Sequence, residues 1–240
     1  ISRLFICRRV APRTRRHDAR RLDNHRMTTS AITTDVERYY SGKVRAFGAT
    51  PQGVDWNGAE SQSLRFAQTA KILEGRPEAS VTDVGCGYGG FLRYLRHTGH
   101  RGRFRGIDLS EDMITAARDH CREIDDATFA VGSMPTETAD VIISSGIFNV
   151  RLDHGDATWR AHILATLDAF NQFAQVGFAF NCLTSYSDKE KMRPHLYYAD
   201  PLFMFDHCKR AYSRHVALLH DYGLYEFTII VRKEPIAGSR

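Results

Sequence analysis

The sequence predicts an α/β fold with a seven-stranded, mostly parallel sheet, helices on both faces and a C-terminal antiparallel hairpin. Three observations predict it. Short apolar strands alternate with helices from residue 80 onward. A turn at residues 85–90 has the glycine spacing G-x-G-x-x-G directly after the first strand. Two apolar runs near the end are separated only by residues 223–224, which indicates a hairpin.

The elements that this pattern predicts begin with helices. Residues 35–47 and 59–74 have helical apolar spacing, with glycine and proline interrupting the stretch between them. The strands are predicted by short apolar runs, at 80–84, 104–108, 128–132, 139–146, 175–183, 215–222 and 225–232. The helices between them are predicted by apolar residues at helical spacing, over 89–97, 110–121, 156–173 and 200–212. Ser110 is a predicted N-cap, because two acidic residues follow it.

The positive charge of the chain is concentrated at its start. The 240 residues carry a net charge of +5. Residues 1–26 contain nine arginines and two aspartates, so the remainder has a balance of −2. We therefore expect residues 1–26 to be a non-domain basic tail, of upstream, targeting or expression-vector origin, and 27–240 to be one domain. Within that domain, 27–75 is a predicted N-terminal helical cap.

Composition and cysteine usage limit the location and the cofactors. No apolar run approaches the roughly 20 residues that a membrane helix needs, so no membrane span is expected. The five cysteines are scattered without a C-x-x-C pair, which favours a reducing compartment and predicts a cytoplasmic protein. The eleven histidines lack metal-ligand spacing, so no metal site is expected.

The residues around the glycine turn restrict its ligand. Asp108 ends the second strand about 20 residues later, where a carboxylate binds the ribose of NAD or of another adenosine ligand. Asp83 stands two residues before Gly85 and would repel a pyrophosphate but favour a cation. The terminal hairpin is not part of a dinucleotide fold, and no second βαβαβ half follows to hold a nicotinamide. An NAD-dependent oxidoreductase is thus the weaker alternative.

Four segments in order resemble the class I S-adenosylmethionine-dependent methyltransferases. They are DVGCGYGG, GIDLSEDMI, VGSM before ADVIISSG, and the terminal LLHDYGLYEFTIIVRK. The resemblance covers residues 35–240 and implies a Rossmann-like sheet with S-adenosyl-L-methionine as the cofactor.

The resemblance implies roles for residues at matching positions. Gly85, Cys86 and Gly87 would lie along the methionine portion, and Asp83 would serve its amino group through water. Asp108 would bind the ribose hydroxyls, with Leu109 and Met113 against the adenine. Ser133 replaces the usual acidic residue, so the adenine amino group would be bound by that serine and the Met134 backbone. Ser145 would border the departing methyl. The N-terminal cap is expected to close over the site, with Tyr40 and Arg65 reaching the cofactor carboxylate and Trp56 lining the cavity.

The methyl acceptor is less restricted by the sequence. The loop after the fourth strand lacks the (D/N/S)-P-P-(Y/F) motif of enzymes that methylate base nitrogens, and the body is near neutral. We therefore expect a small polar acceptor, a sugar or other metabolite, methylated on oxygen or nitrogen mainly by proximity and alignment, and no nucleic acid. His154 beside Asp153 is the candidate base, and 184–200 the candidate substrate loop.

Other functions stay open at this point. An RNA or protein methyltransferase, or a non-catalytic S-adenosylmethionine-binding regulatory partner, would contain the same cofactor motifs. His154 also fits a polar residue at a helix start. A homodimer is a further alternative for the oligomeric state.

Overall fold

The computed structural model of the protein describes residues 14–56 and 58–235, with side chains from Ser30 onward. Residues 1–13 of the predicted tail lie outside the described residues. Helix α1 spans Thr14–Phe47, so the predicted helix start at residue 35 was wrong. The arginines and alanines that precede it are good helix formers, and a helix does not need apolar periodicity to continue through them.

From residue 80 onward, every predicted strand and helix occurs. The strands are β1 Val81–Val84, β2 Phe104–Asp108, β3 Ala127–Val131, β4 Ala139–Ser144, β5 Ala174–Leu183, β6 His215–Leu219 and β7 Glu226–Arg232. The helices after α1 are α2 Ala59–Ala70, α3 Gly90–His97, α4 Glu111–His120, α5 Asp156–Phe173 and α6 Pro201–Ala211. Short 3₁₀ turns at Pro51–Val54 and Lys71–Leu73 precede and follow α2. The predicted cap of α4 is confirmed, since Ser110 Oγ accepts from Met113 N at 3.2 Å.

The seven strands form one sheet in the order β3-β2-β1-β4-β5-β7-β6. Strands β1 to β5 are parallel, and β7 is antiparallel to both of its neighbours, β5 and β6. The predicted sheet and hairpin are confirmed. The chain order reverses between β1 and β4, and such a switch point leaves a crevice at the carboxyl ends of the strands.

Two apolar clusters cover the two faces of the sheet. Phe66 of α2 and Leu92 of α3 belong to one of them. The other contains side chains from α5 and α6 and also Ile32 and Val36 of α1. The connection from β3 to β4, residues 132–138, contains no helix, and α1 packs on the same face as α5. Helix α1 therefore covers this face of the sheet next to the switch point.

A membrane-spanning helix was sought among the described residues, and none of their helices combines the necessary length with the necessary apolarity.

Candidate functional site

The glycine turn after β1 depends on backbone conformations that favour glycine. Gly85 has φ 77° and Gly87 has φ 52°. A Cβ atom on Gly85 would lie 2.0 Å from Ile147 Cγ2, so a larger residue would clash with the loop after β4. The Gly85 and Cys86 amides both donate to the Ile107 carbonyl, at 2.7 and 3.0 Å. These bonds fix the turn against the end of β2.

Asp108 connects that turn to helix α4. Its Oδ2 atom accepts from Gly87 N at 2.9 Å, and its Oδ1 atom accepts from Ser110 N at 3.0 Å. Burial raises the pKa of Asp108, and these backbone hydrogen bonds act in the opposite direction. A carboxylate has about four acceptor sites, so both oxygens can also accept from ligand hydroxyls.

Asp83 is the second buried carboxyl group at this end of the sheet. It is 3% exposed, and burial, followed by the charge of Asp108, raises its pKa to about 8. No basic side chain in the described part of the chain forms an ion pair with it. Two neighbouring acidic groups without a basic partner fit a cationic ligand, because a positive charge would favour their ionised forms.

A cavity lies at the carboxyl ends of β1, β2 and β4. It encloses about 1030 Å³, including its open mouth. Ten of the twelve residues that the sequence assigned to the cofactor line it: Tyr40, Asp83, Gly85, Cys86, Gly87, Asp108, Leu109, Met113, Ser133 and Ser145. The hydroxyl oxygen of Ser145 is buried and has no hydrogen-bond partner among the described residues, which leaves it available to a ligand.

The other two predicted cofactor residues, Arg65 and Met134, are not among the residues that line the cavity. Arg65 is paired with Glu226, with its Nη2 atom 2.7 Å from Oε1. Its Nη1 atom has no partner among the described residues, so one donor of the guanidinium remains. The predicted contact of Arg65 with the cofactor stays a prediction, which depends on that donor.

His154 lies one layer behind the cavity wall. Its ring stacks on Trp159, which lines the cavity, with the ring centroids 6.4 Å apart. Its Nε2 atom is 3.2 Å from Oδ2 of Asp35 on α1, whereas Asp153, the predicted orienting partner, is exposed. The cavity-lining residues include neither His154 nor any residue of 184–200. The acceptor roles of both therefore stay predictions.

Sequence reasoning missed much of the roof and the far wall of the cavity. The missed lining residues of these two parts are Ile32, Thr33, Val36, Glu37, Val54, Gln62, Phe66, Ile147, Trp159, His162 and Thr166. Trp56, the aromatic residue between the cap helices that the sequence places at the cavity, does line it. Trp159, His162 and Thr166 lie on one side of α5 at helical spacing, which also fits a helix that packs only on the sheet.

Polar contacts hold the roof in place. Asp55 accepts from Tyr39 Oη and from Lys43 Nζ, each at 2.6 Å, which ties the segment after the first 3₁₀ turn to α1. Ser41 Oγ lies 2.7 Å from Ser110 Oγ and joins α1 to the start of α4. Helix α1 and residues 51–56 therefore cover the cavity together.

Comparisons with known proteins agree with this site. Residues 81–169 match the family model described as "Methyltransferase domain". The chain is 52% identical over 163 residues to "Putative methyltransferase Rv1506c" of Mycobacterium tuberculosis (strain ATCC 25618 / H37Rv), over 68% of this chain and 98% of that protein.

Solved structures share the fold at low sequence identity. The "DhpI-SAM-HEP complex" has a TM-score of 0.61 at 14% identity and covers 84% of this chain and 98% of its own. Magnesium protoporphyrin IX methyltransferase (ChlM) from Synechocystis PCC 6803 with bound SAH has a TM-score of 0.58 at 16% identity, over 83% and 99%.

The fold and the site thus define a protein with a Rossmann-like sheet and an acidic cavity at the carboxyl ends of its strands. The chain belongs to the class I S-adenosylmethionine-dependent methyltransferases.

Proposed function

We propose that the protein transfers a methyl group from S-adenosyl-L-methionine to a small polar acceptor, a sugar or other metabolite, on oxygen or nitrogen. The observation that supports this most is the roofed cavity. Helix α1 and Trp56 cover it, and a covered cleft is typical of sites for small molecules. A macromolecular acceptor would need a more open approach.

The proposed cofactor contacts follow from the geometry of the two acidic groups. Asp108 would accept from the ribose hydroxyls while its backbone bonds keep it in place, and Leu109 and Met113 would pack on the adenine. Asp83 would face the methionine amino group, and Ser145 Oγ the methionine end. When bound, the sulfonium supplies an already activated methyl group, so the protein mainly has to align the acceptor.

A thermal shift experiment tests the cofactor. S-adenosylhomocysteine at 100 times its Kd should stabilise the protein by roughly 2.7 kcal/mol. NAD at the same concentration should have no effect, because its pyrophosphate would meet Asp83. Asp108→Asn should remove most of the shift. Asp119→Asn, an exposed change on the neighbouring helix α4, should keep it. A larger shift with NAD would contradict the proposal.

A labelling experiment tests the acceptor. The protein would be incubated with methyl-labelled S-adenosylmethionine and separate fractions of small metabolites, RNA and protein. Label in the metabolite fraction supports the proposal. Label only in RNA or in protein would move the function to that class, and cofactor binding without transfer would indicate a non-catalytic regulatory partner. The cytoplasmic location and the homodimer remain predictions from the sequence.

Two histidines are candidates for a general base, and their alanine variants can be compared directly. His162 lines the cavity, whereas His154 lies behind Trp159. With an acceptor in hand, the variant that removes the base should lower kcat roughly 10²–10⁴-fold without changing cofactor affinity. If neither His154→Ala nor His162→Ala changes the pH–rate profile, alignment alone accounts for catalysis.

A further inference from the structure

A network of buried polar contacts links helix α2 to the cavity wall. Arg65 Nε donates to both carboxylate oxygens of Glu226, at 2.8 and 2.9 Å. Asn181 Nδ2 donates to Glu226 Oε2 at 2.7 Å, and Asn181 Oδ1 accepts from Gly146 N at 2.7 Å. We refer to Arg65, Glu226 and Asn181 as the buried network. It crosses from α2 through β7 and β5 to Gly146, two residues after the end of β4.

The burial of this network is difficult to explain by stability alone. Arg65 is 8% exposed, Glu226 2% and Asn181 0%. The desolvation of a buried ion pair is costly, and well-packed apolar residues often replace such a pair without loss of stability. The network does fix an orientation. The Gly146 amide can only donate and the Glu226 carboxylate only accepts, so the Asn181 side chain has one satisfied orientation.

The same network reaches the roof of the cavity through Trp56. The Arg65 guanidinium carbon lies 5.0 Å from the centre of the Trp56 ring. Gly146 has φ 91°, and a Cβ atom there would lie 3.3 Å from Trp56 Nε1. Trp56 and Gly146 both line the cavity. The contacts therefore close a ring that runs from Gly146 through the buried network to Trp56 and back.

We propose that Asn181 and Glu226 are positioning residues for methyl transfer. They hold Gly146 and, through Arg65, Trp56 against the bound cofactor. This inference rests on the proposed function. Neither residue lines the cavity, so both act through the two walls that they hold. Removal of one member should loosen both walls together, although the walls are far apart in the sequence.

The main test is Asn181→Ala, with two measurements that need no acceptor. Calorimetry with S-adenosylhomocysteine should show an affinity roughly 10-fold weaker, because the Gly146 amide and Glu226 each lose a buried partner. Hydrogen exchange should become faster in two peptides, one with Gly146 and one with Trp56. A general loss of stability would not select these two segments.

The matched control is Asp140→Ala, at the opposite end of β4. Asp140 Oδ2 accepts from Ser80 N at 2.8 Å and from Ser80 Oγ at 2.7 Å, away from the cavity. This change should lower the melting temperature and leave the affinity for S-adenosylhomocysteine unchanged. It separates a loss of stability from a loss of positioning.

Asn181→Asp provides a conservative variant with a pH signature. The aspartate carboxylate at position 181 can still accept from the Gly146 amide. It cannot donate to the Glu226 carboxylate, so that hydrogen bond is lost. Two adjacent carboxylates share a proton as the pH falls, and that proton restores the missing hydrogen bond. The affinity of Asn181→Asp relative to wild type should therefore recover at low pH, whereas that of Asn181→Ala should not.

Two results would overturn the inference. One is unchanged affinity and unchanged exchange in Asn181→Ala, and the other is an equal loss of affinity in Asp140→Ala. Failure of the wild-type protein to bind S-adenosylhomocysteine would instead overturn the proposed function. In that case the exchange of the Gly146 and Trp56 peptides would still show whether the network holds the two walls.

Discussion

At the residue scale, Asp83 has a protonation state that opposes its proposed role. Its pKa of about 8 means that the ligand-free protein at neutral pH holds this group mainly as the neutral acid. A cationic ligand lowers that pKa, so binding of S-adenosylmethionine should release close to one proton per site at neutral pH. The affinity should therefore increase as the pH rises toward about 8.

Calorimetry in buffers of different ionisation enthalpy measures this proton release directly. Asp83→Asn should abolish most of the release and weaken binding, because an amide cannot balance the ammonium charge. A wild-type protein that binds without any proton exchange would show that Asp83 is already ionised or does not face the charge.

The same residue should make the stability of the ligand-free protein depend on pH. The folded-state pKa of Asp83 is raised from about 3.8 to about 8. The folded state therefore holds the proton more tightly than the unfolded state, and the stability it provides is lost as the pH rises from about 4 to about 8. Asp83→Asn removes this loss. In thermal scans without ligand, the melting temperature of the variant should exceed that of wild type by a margin that grows as the pH rises over that range.

At the element scale, the roof depends on one clamp between α1 and the segment after it. Asp55 binds Tyr39 and Lys43, and it has φ 64°, a conformation that is unfavourable for most residues other than glycine, asparagine and aspartate. Asp55→Ala removes both contacts and retains the strain. We expect a loss of roughly 1–2 kcal/mol, since the contacts are partly solvent-screened.

The clamp can be tested against a milder change at the same position. Asp55→Asn tolerates the left-handed backbone and can still accept from Tyr39, so it should lose less than Asp55→Ala. Faster dissociation of S-adenosylhomocysteine and faster exchange at residues 51–56 are the expected signs of a looser roof. Equal dissociation rates in wild type and Asp55→Ala would mean that the roof is held by its apolar contacts.

How far the elements could be predicted depends on the range of the interactions. The turn after β1, Asp108 and the Ser110 cap are local, and each has a sequence signal in residue type and spacing. The pairing of Arg65 with Glu226 joins residues 161 positions apart, and no local pattern indicates it. The partner of His154 is missed for the same reason. The nearest acidic residue in sequence is Asp153, but the fold brings Asp35 of α1 to the ring.

At the scale of the whole molecule, the fold class followed from alternating strands and helices, and a helical cap was expected, but the way α1 packs on the sheet was not. The periodicity of residues 35–47 predicts a helix and gives no position for it. In the structure this helix joins the apolar cluster of α5 on the face where the β3–β4 connection has no helix, and it also covers the cavity. The roof thus depends on how elements that are distant in the sequence pack around the sheet.

Because of this arrangement, two N-terminal truncations should differ in their effect on stability and cofactor affinity. Deletion of residues 1–26 should leave the melting temperature and the cofactor affinity near wild type, because the described cavity and core contacts of α1 begin after it, with Ile32. Deletion of residues 1–36 also removes Ile32 and Val36, which are 1% and 8% exposed in the core. The loss of two buried aliphatic side chains should cost roughly 3–6 kcal/mol.

Thermal scans and calorimetry on both proteins measure the difference. If the shorter deletion alone lowers the melting temperature by several degrees, residues 1–26 contribute to the domain and the predicted boundary at residue 27 is wrong.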